Sequence, residues 1–456
     1  MSRLTRREFL AAGGTAAASL AMLSACGRSA PPVQPGDGIG EGGGTPQADD
    51  GYKALVAIFL HGGNDAFNMI VPTSGGAYDD YARARLEVAL PRNQLLGLGA
   101  ADNGVEFGAH PAMSGLQSLY QQGHAAVLSN VGTLVEPIQD GQVRSASTWR
   151  PPRLMSHNDQ QDQWQKDAPT SLEALGWAGR AADLLAPSLS DQLLPVGLSY
   201  SGTNLLQTGR SEVGFSVSTS GPVDAAFLRR NADIRALYEA LLEADHDHLF
   251  VREYSRSQLK GMDYNAVLAQ ALALAPDLTV TFPGDRLGSQ LAAVAKLMSV
   301  REALGAKRQT FFVSMGGFDT HADQLTRHAG LLQSLSDNLA AFYQATESLG
   351  LAGSVTSFTV SDFGRSLTVN GDGTDHGWGT HQLVVGGAVR GGFHGQMPDL
   401  APDTGRDYGG GRFAPSTSVD QYGATLLRWF GIDASDIPGV FPNIGRFDTA
   451  DLGFLG

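Results

Sequence analysis

Residues 354–392 read SVTSFTVSDFGRSLTVNGDGTDHGWGTHQLVVGGAVRGG. An apolar run rich in β-branched residues, Val355–Val360, ends in the polar sequence SDFGR. A glycine-rich loop follows, and a second apolar run, Leu383–Val389, closes the stretch. The pattern predicts a strand, a polar loop and another strand, which is how a sheet presents ligand groups at its carboxyl edge. The polar segment carries five metal-capable side chains: Asp362, Asp372, Asp375, His376 and His381.

Short apolar runs of this kind alternate with long amphipathic runs through residues 52–456. Strands are predicted at Lys53–Leu60, Ala125–Val131, Leu193–Ser199, Thr310–Met315, Val355–Val360 and Leu383–Val389. Helices are predicted at Ala112–Gln122, Leu172–Leu185, Asp224–Ala244, Asp285–Leu304, Thr326–Leu349 and Val419–Phe430. Nearly all-apolar strands between such helices predict an α/β fold with a doubly wound, mostly parallel sheet sandwiched by helices. Since no repeat or linker divides this region, we expect residues 52–456 to form a single domain with insertions.

The N-terminal segment, residues 1–26, has the features of a twin-arginine export signal. Arg6–Arg7 precedes an alanine-rich apolar run that is shorter than the roughly 20 residues a transmembrane helix needs. The run ends in LSAC at residues 23–26, which resembles a bacterial lipobox with a lipidated cysteine. The alternative is cleavage after a small residue, with loss of Cys26. We predict export by the twin-arginine translocase to the periplasm or cell envelope, with a lipid anchor at Cys26.

The composition of the chain bears on three properties: the order of residues 27–51, disulfide formation and nucleic-acid binding. Residues 27–51 are rich in glycine and proline and predict a flexible linker between the anchor and the folded region. Cys26 is the only cysteine, so the chain forms no internal disulfide. The formal net charge of −14 argues against nucleic-acid binding.

Two further predicted strands end in polar breaks that follow paired glycines. The first runs into HGGNDAFN at residues 61–68, where Asp65 could reach a ligand, although an Asx turn is the alternative. The other runs into GGFDTHAD at residues 316–323, where Asp319 and His321 suit zinc or manganese better than calcium, although a helix cap is the alternative. Placed at one sheet edge with Asp362, these carboxylates would repel one another unless a cation lay among them. We therefore predict a site for one or two divalent ions: zinc, manganese or calcium.

Ser156 precedes a predicted helix that starts at His157. The serine could cap this helix, or it could be a nucleophile at the positive helix end, and the two roles are compatible.

In combination, the motifs of this chain resemble the exported family known as domain of unknown function 1501, or DUF1501. The matching pieces are RREFL at residues 6–10, GGND at 62–65, SH at 156–157 with DQQD at 159–162, GGFDTH at 316–321, DFGR at 362–365, DHGWG at 375–379 and RWFG at 428–431. The family is grouped with the alkaline-phosphatase-like superfamily, which includes phosphatases and sulfatases. The resemblance implies that superfamily's α/β sandwich and a hydrolytic site built around divalent metal ions.

The resemblance also implies roles for individual residues. Asp65 matches the first metal-binding Asp, and Ser156 the nucleophile. Asp319 and His321 match an Asp…His pair, Asp362 matches the Asp of an Asp-His pair, and His381 or His376 matches the last His. The chain departs from the pattern at Phe363, which stands where the superfamily has a histidine, so the metal site is altered, single or lost. Arg365 would bind an anionic substrate group.

These observations predict an exported, metal-dependent hydrolase that acts on a small anionic phosphate or sulfate ester. Ser156 and Arg365 are the predicted catalytic residues. The predicted metal ligands are Asp65, Asp319, His321, Asp362, His376 and His381. The alternative is a non-catalytic envelope protein that keeps the fold as a binding or assembly module for a protein partner, and Phe363 is the residue that favours it.

Overall fold

A computed structural model describes residues 51–101, 103–145, 149–166, 173–222, 228, 231–401 and 404–456. The predicted signal peptide, the predicted anchor residue Cys26 and all but the last residue of the predicted linker lie outside the described residues. Among the described helices, none combines the length and the apolar character needed to cross a membrane.

The described strands, numbered in chain order, are β1 (Lys53–His61), β2 (Ile70–Pro72), β3 (Leu96–Ala100), β4 (Glu106–Ala109), β5 (Ala125–Gly132), β6 (Gly197–Ser199), β7 (Phe215–Ser216), β8 (Arg308–Gly316), β9 (Val355–Ser361), β10 (Arg365–Asn370), β11 (Gly373–His376), β12 (Thr380–Gly386), β13 (Gly392–His394) and β14 (Thr417–Ser418). The described α-helices are α1 (Ala66–Met69), α2 (Gly75–Arg85), α3 (Ser114–Gln121), α4 (His157–Lys166), α5 (Trp177–Leu185), α6 (Ala232–Glu243), α7 (Leu249–Leu272), α8 (Arg286–Met298), α9 (Gln324–Ser348), α10 (Val419–Phe430) and α11 (Ile437–Val440). Single 3₁₀ turns lie at Leu86–Val88, Arg92–Gln94, Ala186–Ser188, Ala352–Ser354 and Ile444–Arg446.

The main sheet has the order β13–β5–β12–β9–β1–β8–β6–β7, with β14 also paired to β5. Strand β1 is parallel to both of its neighbours, and β6 is parallel to β7 and β8. Strand β12 runs antiparallel to β5 and β9, and within the described part of this sheet it alone has that direction. The predicted mostly parallel sheet is confirmed.

Strand β1 lies in the middle of the sheet and is buried on both faces. Successive side chains of a strand point to opposite faces, so its residues divide between two hydrophobic cores. One core contains Ala54, Val56, Ile58 and Leu60, and the other contains Leu55, Ala57 and Phe59. This division explains why β1 is an almost uninterrupted apolar run in the sequence.

Helices cover both faces of the sheet, which confirms the predicted doubly wound architecture. The first core packs β1 against α3, α8 and α9, through residues such as Leu116, Leu291 and Leu335. The second core packs the opposite face against α4, α5 and α10, through residues that include Trp164, Trp177 and Phe430.

The order of the central strands brings the polar breaks together. Strands β9, β1 and β8 are adjacent and parallel, so their carboxyl ends meet at one edge of the sheet. The segments that follow them carry Asp362, Asp65 and Asp319, as the sequence predicts.

Several elements differ between the prediction and the structure. Part of the loop predicted after residue 360 forms the two-stranded antiparallel sheet β10–β11. The strand predicted at Leu383–Val389 instead spans Thr380–Gly386. Glycine is required at Gly386 and Gly387, because a Cβ at either would clash with backbone atoms of Val355 or Ala352. The long helix α7 is absent from the prediction because its buried residues are few and its apolar stripe is interrupted.

Candidate metal centre

Three side chains converge at the carboxyl edge of the sheet. His157, Asp319 and His376 each offer one ligand atom, and all three atoms lie within 4.8 Å of one another. His157 is the first residue of α4, Asp319 follows β8, and His376 ends β11. The centre is therefore assembled from three separate parts of the chain on one rigid scaffold.

The His157 ring is oriented by a buried carboxylate. Nδ1 of His157 lies 2.6 Å from Oδ2 of Asp362, and the same oxygen accepts from Gln161 Nε2 at 3.0 Å and from the Gly62 amide at 3.2 Å. An ionised carboxylate only accepts hydrogen bonds, so Nδ1 of His157 carries the proton. In the neutral ring, the lone pair is then on Nε2 of His157, 3.6 Å from Asp319 Oδ2. Carboxylate–imidazole pairs of this kind hold metal-binding histidines in place.

His376 has the same arrangement with a backbone acceptor. Its Nδ1 lies 2.9 Å from the Met155 carbonyl oxygen, which can only accept, so this nitrogen also carries the proton. Nε2 of His376 lies 3.3 Å from Asp319 Oδ1. Burial lowers the pKa of His376, which favours the neutral ring that a metal ligand requires.

His321 extends the centre toward solvent. Its Nε2 lies 3.0 Å from Asp319 Oδ1 and 3.1 Å from Nε2 of His376. Its Nδ1 lies 3.6 Å from Asp375 Oδ1. His321 therefore adds a third imidazole to the group.

Asp319 is held by a buried arginine. Arg365 donates from Nη1 to Asp319 Oδ1 at 2.6 Å and to the Gly62 carbonyl at 3.3 Å, and from Nε to Thr374 Oγ1 at 3.2 Å. Its Nη2 donates to the Thr374 carbonyl oxygen. Burial opposes the charge on Asp319, but the hydrogen bond and charge of Arg365 outweigh it and lower the pKa of Asp319. These contacts favour a positioning role for Arg365, and its anion-binding role stays a prediction.

Phe363 packs against both oriented histidines. Its ring centre lies 4.8 Å from that of His157 and 4.6 Å from that of His376. Gly63 (φ +82°) makes room for it, because a Cβ there would lie 2.6 Å from the Phe363 ring. Phe363 thus forms an apolar wall of the centre, and the imidazole that pairs with Asp362 comes from α4.

The structure does not bring every predicted ligand into this convergent group. Asp65 is fully buried, and its oxygens accept from Arg85 Nη1 at 2.8 Å and Nη2 at 2.5 Å, and from Gln324 Nε2. His381 is also buried, and its Nδ1 accepts from the Asn130 amide at 3.0 Å. Burial lowers the pKa of His381 to about 3, so the ring is neutral. Of the two candidates for the last histidine, His376 lies in the centre.

Two other predicted residues lie beside the centre. Oδ1 of Asp362 is buried and has no hydrogen-bond partner among the described residues. Asp362 therefore orients His157 through one oxygen and keeps the other without a partner, although it lies outside the convergent group of three. Ser156 precedes α4, and its hydroxyl donates to Asp159 Oδ2 at 2.6 Å, so the nucleophile role of Ser156 stays a prediction.

The donor chemistry of the centre fits a divalent transition metal. Two imidazole nitrogens with fixed tautomers, a carboxylate and an unpaired buried carboxylate oxygen match the ligands that zinc and manganese accept. Calcium prefers oxygen ligands, so the histidines disfavour it. A cavity of about 440 Å³ opens beside the centre, with His321 and His376 in its wall.

Comparison with known proteins identifies the family. A family profile described as "Protein of unknown function (DUF1501)" matches residues 52–437. The chain belongs to the DUF1501 family.

Other comparisons add little. No curated protein matches this DUF1501 chain in a sequence search. One similar solved structure is the phosphonate monoester hydrolase SpPMH from Silicibacter pomeroyi, with 9% identity and a TM-score of 0.34 over 84% of this chain and 74% of that one. Another is Ps i-CgsB in complex with k-i-k-neocarrahexaose, with 9% identity and a TM-score of 0.32 over 86% and 76%. Structural similarity at this level carries no information about catalysis, so the chemistry of the centre is inferred from its own residues.

His157 lies in the centre of this DUF1501 protein but is absent from the predicted site residues. Its signal is its position, directly after Ser156 in one of the matching motifs and at the start of a helix. The motif alone predicts a role for the serine and none for the histidine. Only the packing of α4 over the end of β9 places the His157 ring between Asp362 and Asp319.

Proposed function

We propose that this DUF1501 protein is an exported, metal-dependent hydrolase of phosphate or sulfate esters. The observation that carries the proposal is the convergence of His157, Asp319 and His376 within 4.8 Å. The two histidines have their Nδ1 atoms tied to acceptors. Imidazoles whose Nδ1 atoms are held by acceptors, beside a carboxylate, are the arrangement by which proteins bind zinc and similar divalent metals.

In this proposal, each residue of the centre either binds the metal ion or orients a residue that binds it. His157 Nε2, His376 Nε2 and the Asp319 carboxylate would hold the ion, with Asp362 Oδ1 as a further oxygen. Such an ion would act as a Lewis acid that polarises the ester and stabilises negative charge in the displacement. Asp362 fixes the His157 tautomer, and Arg365 fixes the Asp319 carboxylate.

His321 is the residue best placed to protonate the leaving oxygen. It lies in the wall of the cavity, and its side chain is about half exposed, at 46%. Its Nδ1 lies 3.6 Å from Asp375 Oδ1 and its Nε2 lies 3.0 Å from Asp319 Oδ1, so a carboxylate with which it can exchange a proton stands on either side.

Ser156 is the nucleophile in this proposal. It lies between Met155, whose carbonyl holds His376, and His157 itself. Attack would form a bond from its oxygen to phosphorus or sulfur and break the bond to the alcohol oxygen, and water would then release the acid. Asp159 already accepts the hydrogen bond of this hydroxyl and is placed to take its proton.

Metal analysis and a substrate panel test the proposal. Purified protein is expected to retain zinc or manganese, and Asp319→Ala and His376→Ala are expected to lose it. The metal-loaded protein is then assayed with aryl phosphates, phosphate diesters and aryl sulfates. His248→Ala, at an exposed site on the N-terminal side of α7, is the matched control. A protein that binds no divalent metal, or that turns over no ester when loaded, would contradict the proposal and favour a non-catalytic envelope role.

We also propose that export and lipid attachment place this hydrolase in the cell envelope. The support is the twin arginine at residues 6–7 and the LSAC sequence that ends at Cys26. Metabolic labelling with a fatty acid is expected to tag the wild-type chain and not Cys26→Ala. Lysine substitution of Arg6 and Arg7 is expected to leave the precursor inside the cell. Labelling of Cys26→Ala, or export without the arginine pair, would contradict this.

A further inference from the structure

The cavity beside the centre has the size of a small-molecule site. Its volume of about 440 Å³ falls within the roughly 300–1,000 Å³ typical of ligand pockets. His321 and His376 form the wall nearest the centre, and Met155, Asp375, Tyr408, Gly409 and Arg412 form the rest. An ester whose acid group lies at the centre would place its alcohol portion in this adjoining space.

Two opposite charges face each other across the cavity wall without a hydrogen bond. Nη2 of Arg412 lies 3.7 Å from Oδ2 of Asp375, beyond hydrogen-bond distance. The guanidinium is fixed from behind, because Nε donates to the His376 carbonyl at 2.9 Å and Nη1 to the Gly409 carbonyl at 3.0 Å. A ligand hydroxyl can accept from the guanidinium and donate to the carboxylate at once.

Tyr408 gives the cavity a flat aromatic wall on a rigid loop. Its ring lies 5.3 Å from the Arg150 guanidinium and edge-on to Trp378 at 6.2 Å. Oδ1 of Asp407 accepts from the Gly409 amide at 2.8 Å and the Arg412 amide at 3.1 Å, which closes the loop. The rim is therefore ordered before a ligand binds, which reduces the entropy lost on binding.

We propose that this cavity binds the alcohol portion of the substrate and is built for a sugar-like polyol. Arg412 and Asp375 contact its hydroxyls, and Tyr408 packs against its ring. An alkyl chain would displace water from Arg412 Nη2 and Asp375 Oδ2 and offer no hydrogen bond in its place, which is unfavourable. The inference rests on the proposed function, because it assigns the leaving group of that reaction.

The first test is a comparison of three esters that share one acid group. Glucose 6-phosphate, phenyl phosphate and hexyl phosphate are assayed with the metal-loaded, full-length protein. We expect kcat/KM to favour glucose 6-phosphate over hexyl phosphate by about tenfold or more, as for a site that hydrogen-bonds substrate hydroxyls. In Asp375→Asn and Arg412→Met this ratio should fall by about tenfold. Because glucose 6-phosphate and hexyl phosphate share the phosphate and a primary alkyl leaving oxygen, effects of these substitutions on the centre itself cancel in their ratio.

Arg428→Met is the matched control, since Arg428 is an exposed arginine that pairs with Asp451 at 2.8 Å away from the cavity wall. The ratio should be unchanged in this variant. A wild-type preference for hexyl phosphate over glucose 6-phosphate would overturn the inference. So would a ratio that neither Asp375→Asn nor Arg412→Met changes.

The second test does not require turnover. Calorimetric titration of the full-length protein with glucose 6-phosphate and hexyl phosphate should show tighter binding of the sugar ester. Asp375→Asn and Arg412→Met should weaken the sugar ester selectively. If no ester is hydrolysed, the proposed function fails, and this titration alone decides the inference. Equal affinity for both phosphates, or no binding of either, would overturn it.

Discussion

His157 and Asp362 are 205 residues apart in the chain and meet in a hydrogen bond of 2.6 Å between Nδ1 and Oδ2. The bond joins the first residue of α4 to the residue that follows β9. Asp362 is fully buried, whereas the His157 side chain keeps 29% of its surface exposed. The carboxylate therefore holds the protected side of the ring, and the opposite nitrogen faces Asp319. The hydrogen bond therefore fixes which nitrogen of His157 faces the centre.

Replacing Asp362 by Asn should weaken metal binding. The amide can present its NH₂ group to Nδ1 of His157, which would move the ring proton to Nε2 and remove the lone pair that faces Asp319. Loss of such an orienting partner typically costs about 10–100-fold in metal affinity. Titration of zinc and manganese into the metal-free protein measures the change. Asp451→Asn, an exposed carboxylate that pairs with Arg428 at 2.8 Å, is the control, and unchanged affinity in Asp362→Asn would contradict the expected role.

The buried Asp65–Arg85 pair should be important for stability. Arg85→Met would leave the Asp65 carboxylate without its bidentate partner in a fully buried site. Breaking such a pair costs about 3–5 kcal/mol of unfolding free energy, whereas replacing both charges by apolar groups is often close to neutral. We expect Arg85→Met to be strongly destabilised and Asp65→Leu/Arg85→Met to recover much of the loss. Denaturant unfolding of the three proteins measures this.

The same variants test whether Asp65 is a metal ligand. If Asp65 only pairs with Arg85 and Gln324, Asp65→Leu/Arg85→Met should bind zinc as tightly as the wild type. A loss of affinity of tenfold or more in the folded double variant, roughly 1.4 kcal/mol, would instead support the predicted ligand role.

The sequence predicts the scaffold better than the details of the centre. Buried parallel strands are continuous apolar runs, so β1, β8 and β9 can be predicted directly from the sequence. Their order in the sheet brings Asp319 and Asp362 to one edge. Which carboxylate meets which partner depends on long-range packing. Arg85 reaches Asp65 from α2, and His157 reaches Asp362 from α4, and neither partner is marked by local pattern. The fold class is therefore predictable, whereas the assignment of ligands is not.

The hairpin β10–β11 shows a second limit. Its sequence is polar and contains Gly371 and Gly373, so it predicts a loop. Gly373 contacts the backbone of His321 so closely that an added Cβ would clash. Arg365 and Thr374 join its two strands through buried hydrogen bonds. Arg365, the first residue of β10, also positions Asp319. The pairing of the two strands depends on tertiary contacts, and a period-two pattern of apolar residues does not reveal such contacts.

Stability should fall as the pH is lowered below about 6.5. Burial lowers the pKa of His381 to about 3 and those of His110 and His328 to about 4, from an ordinary value of 6.5. The unfolded chain takes up protons at these histidines near pH 6.5, whereas the folded protein does not until about pH 4. Stability is therefore fully present above 6.5 and is lost progressively down to about pH 4.

Denaturant unfolding at pH 7.5, 6 and 5 measures this dependence. We expect a loss on the order of a few kcal/mol between pH 7.5 and 5. His328→Leu should reduce the slope, because one of the buried imidazoles is then absent. His248→Gln, at an exposed position, should leave it unchanged. A stability that is flat or rises toward pH 5 would contradict the expected direction.

Ser156→Ala should separate the two roles of this hydroxyl. As the nucleophile, Ser156 forms the covalent bond to the ester, so its removal should lower kcat by about a thousandfold or more. The fold and the affinity for zinc should be retained, because His157 and His376 are held by Asp362 and by the Met155 backbone carbonyl.

If Ser156 only stabilises the first turn of α4 through Asp159, the substitution should cost about 1 kcal/mol of stability and leave kcat within a few-fold. Steady-state kinetics, zinc titration and denaturant unfolding of the same preparation distinguish the outcomes. Near-normal kcat with reduced stability would mean that water attacks the ester directly.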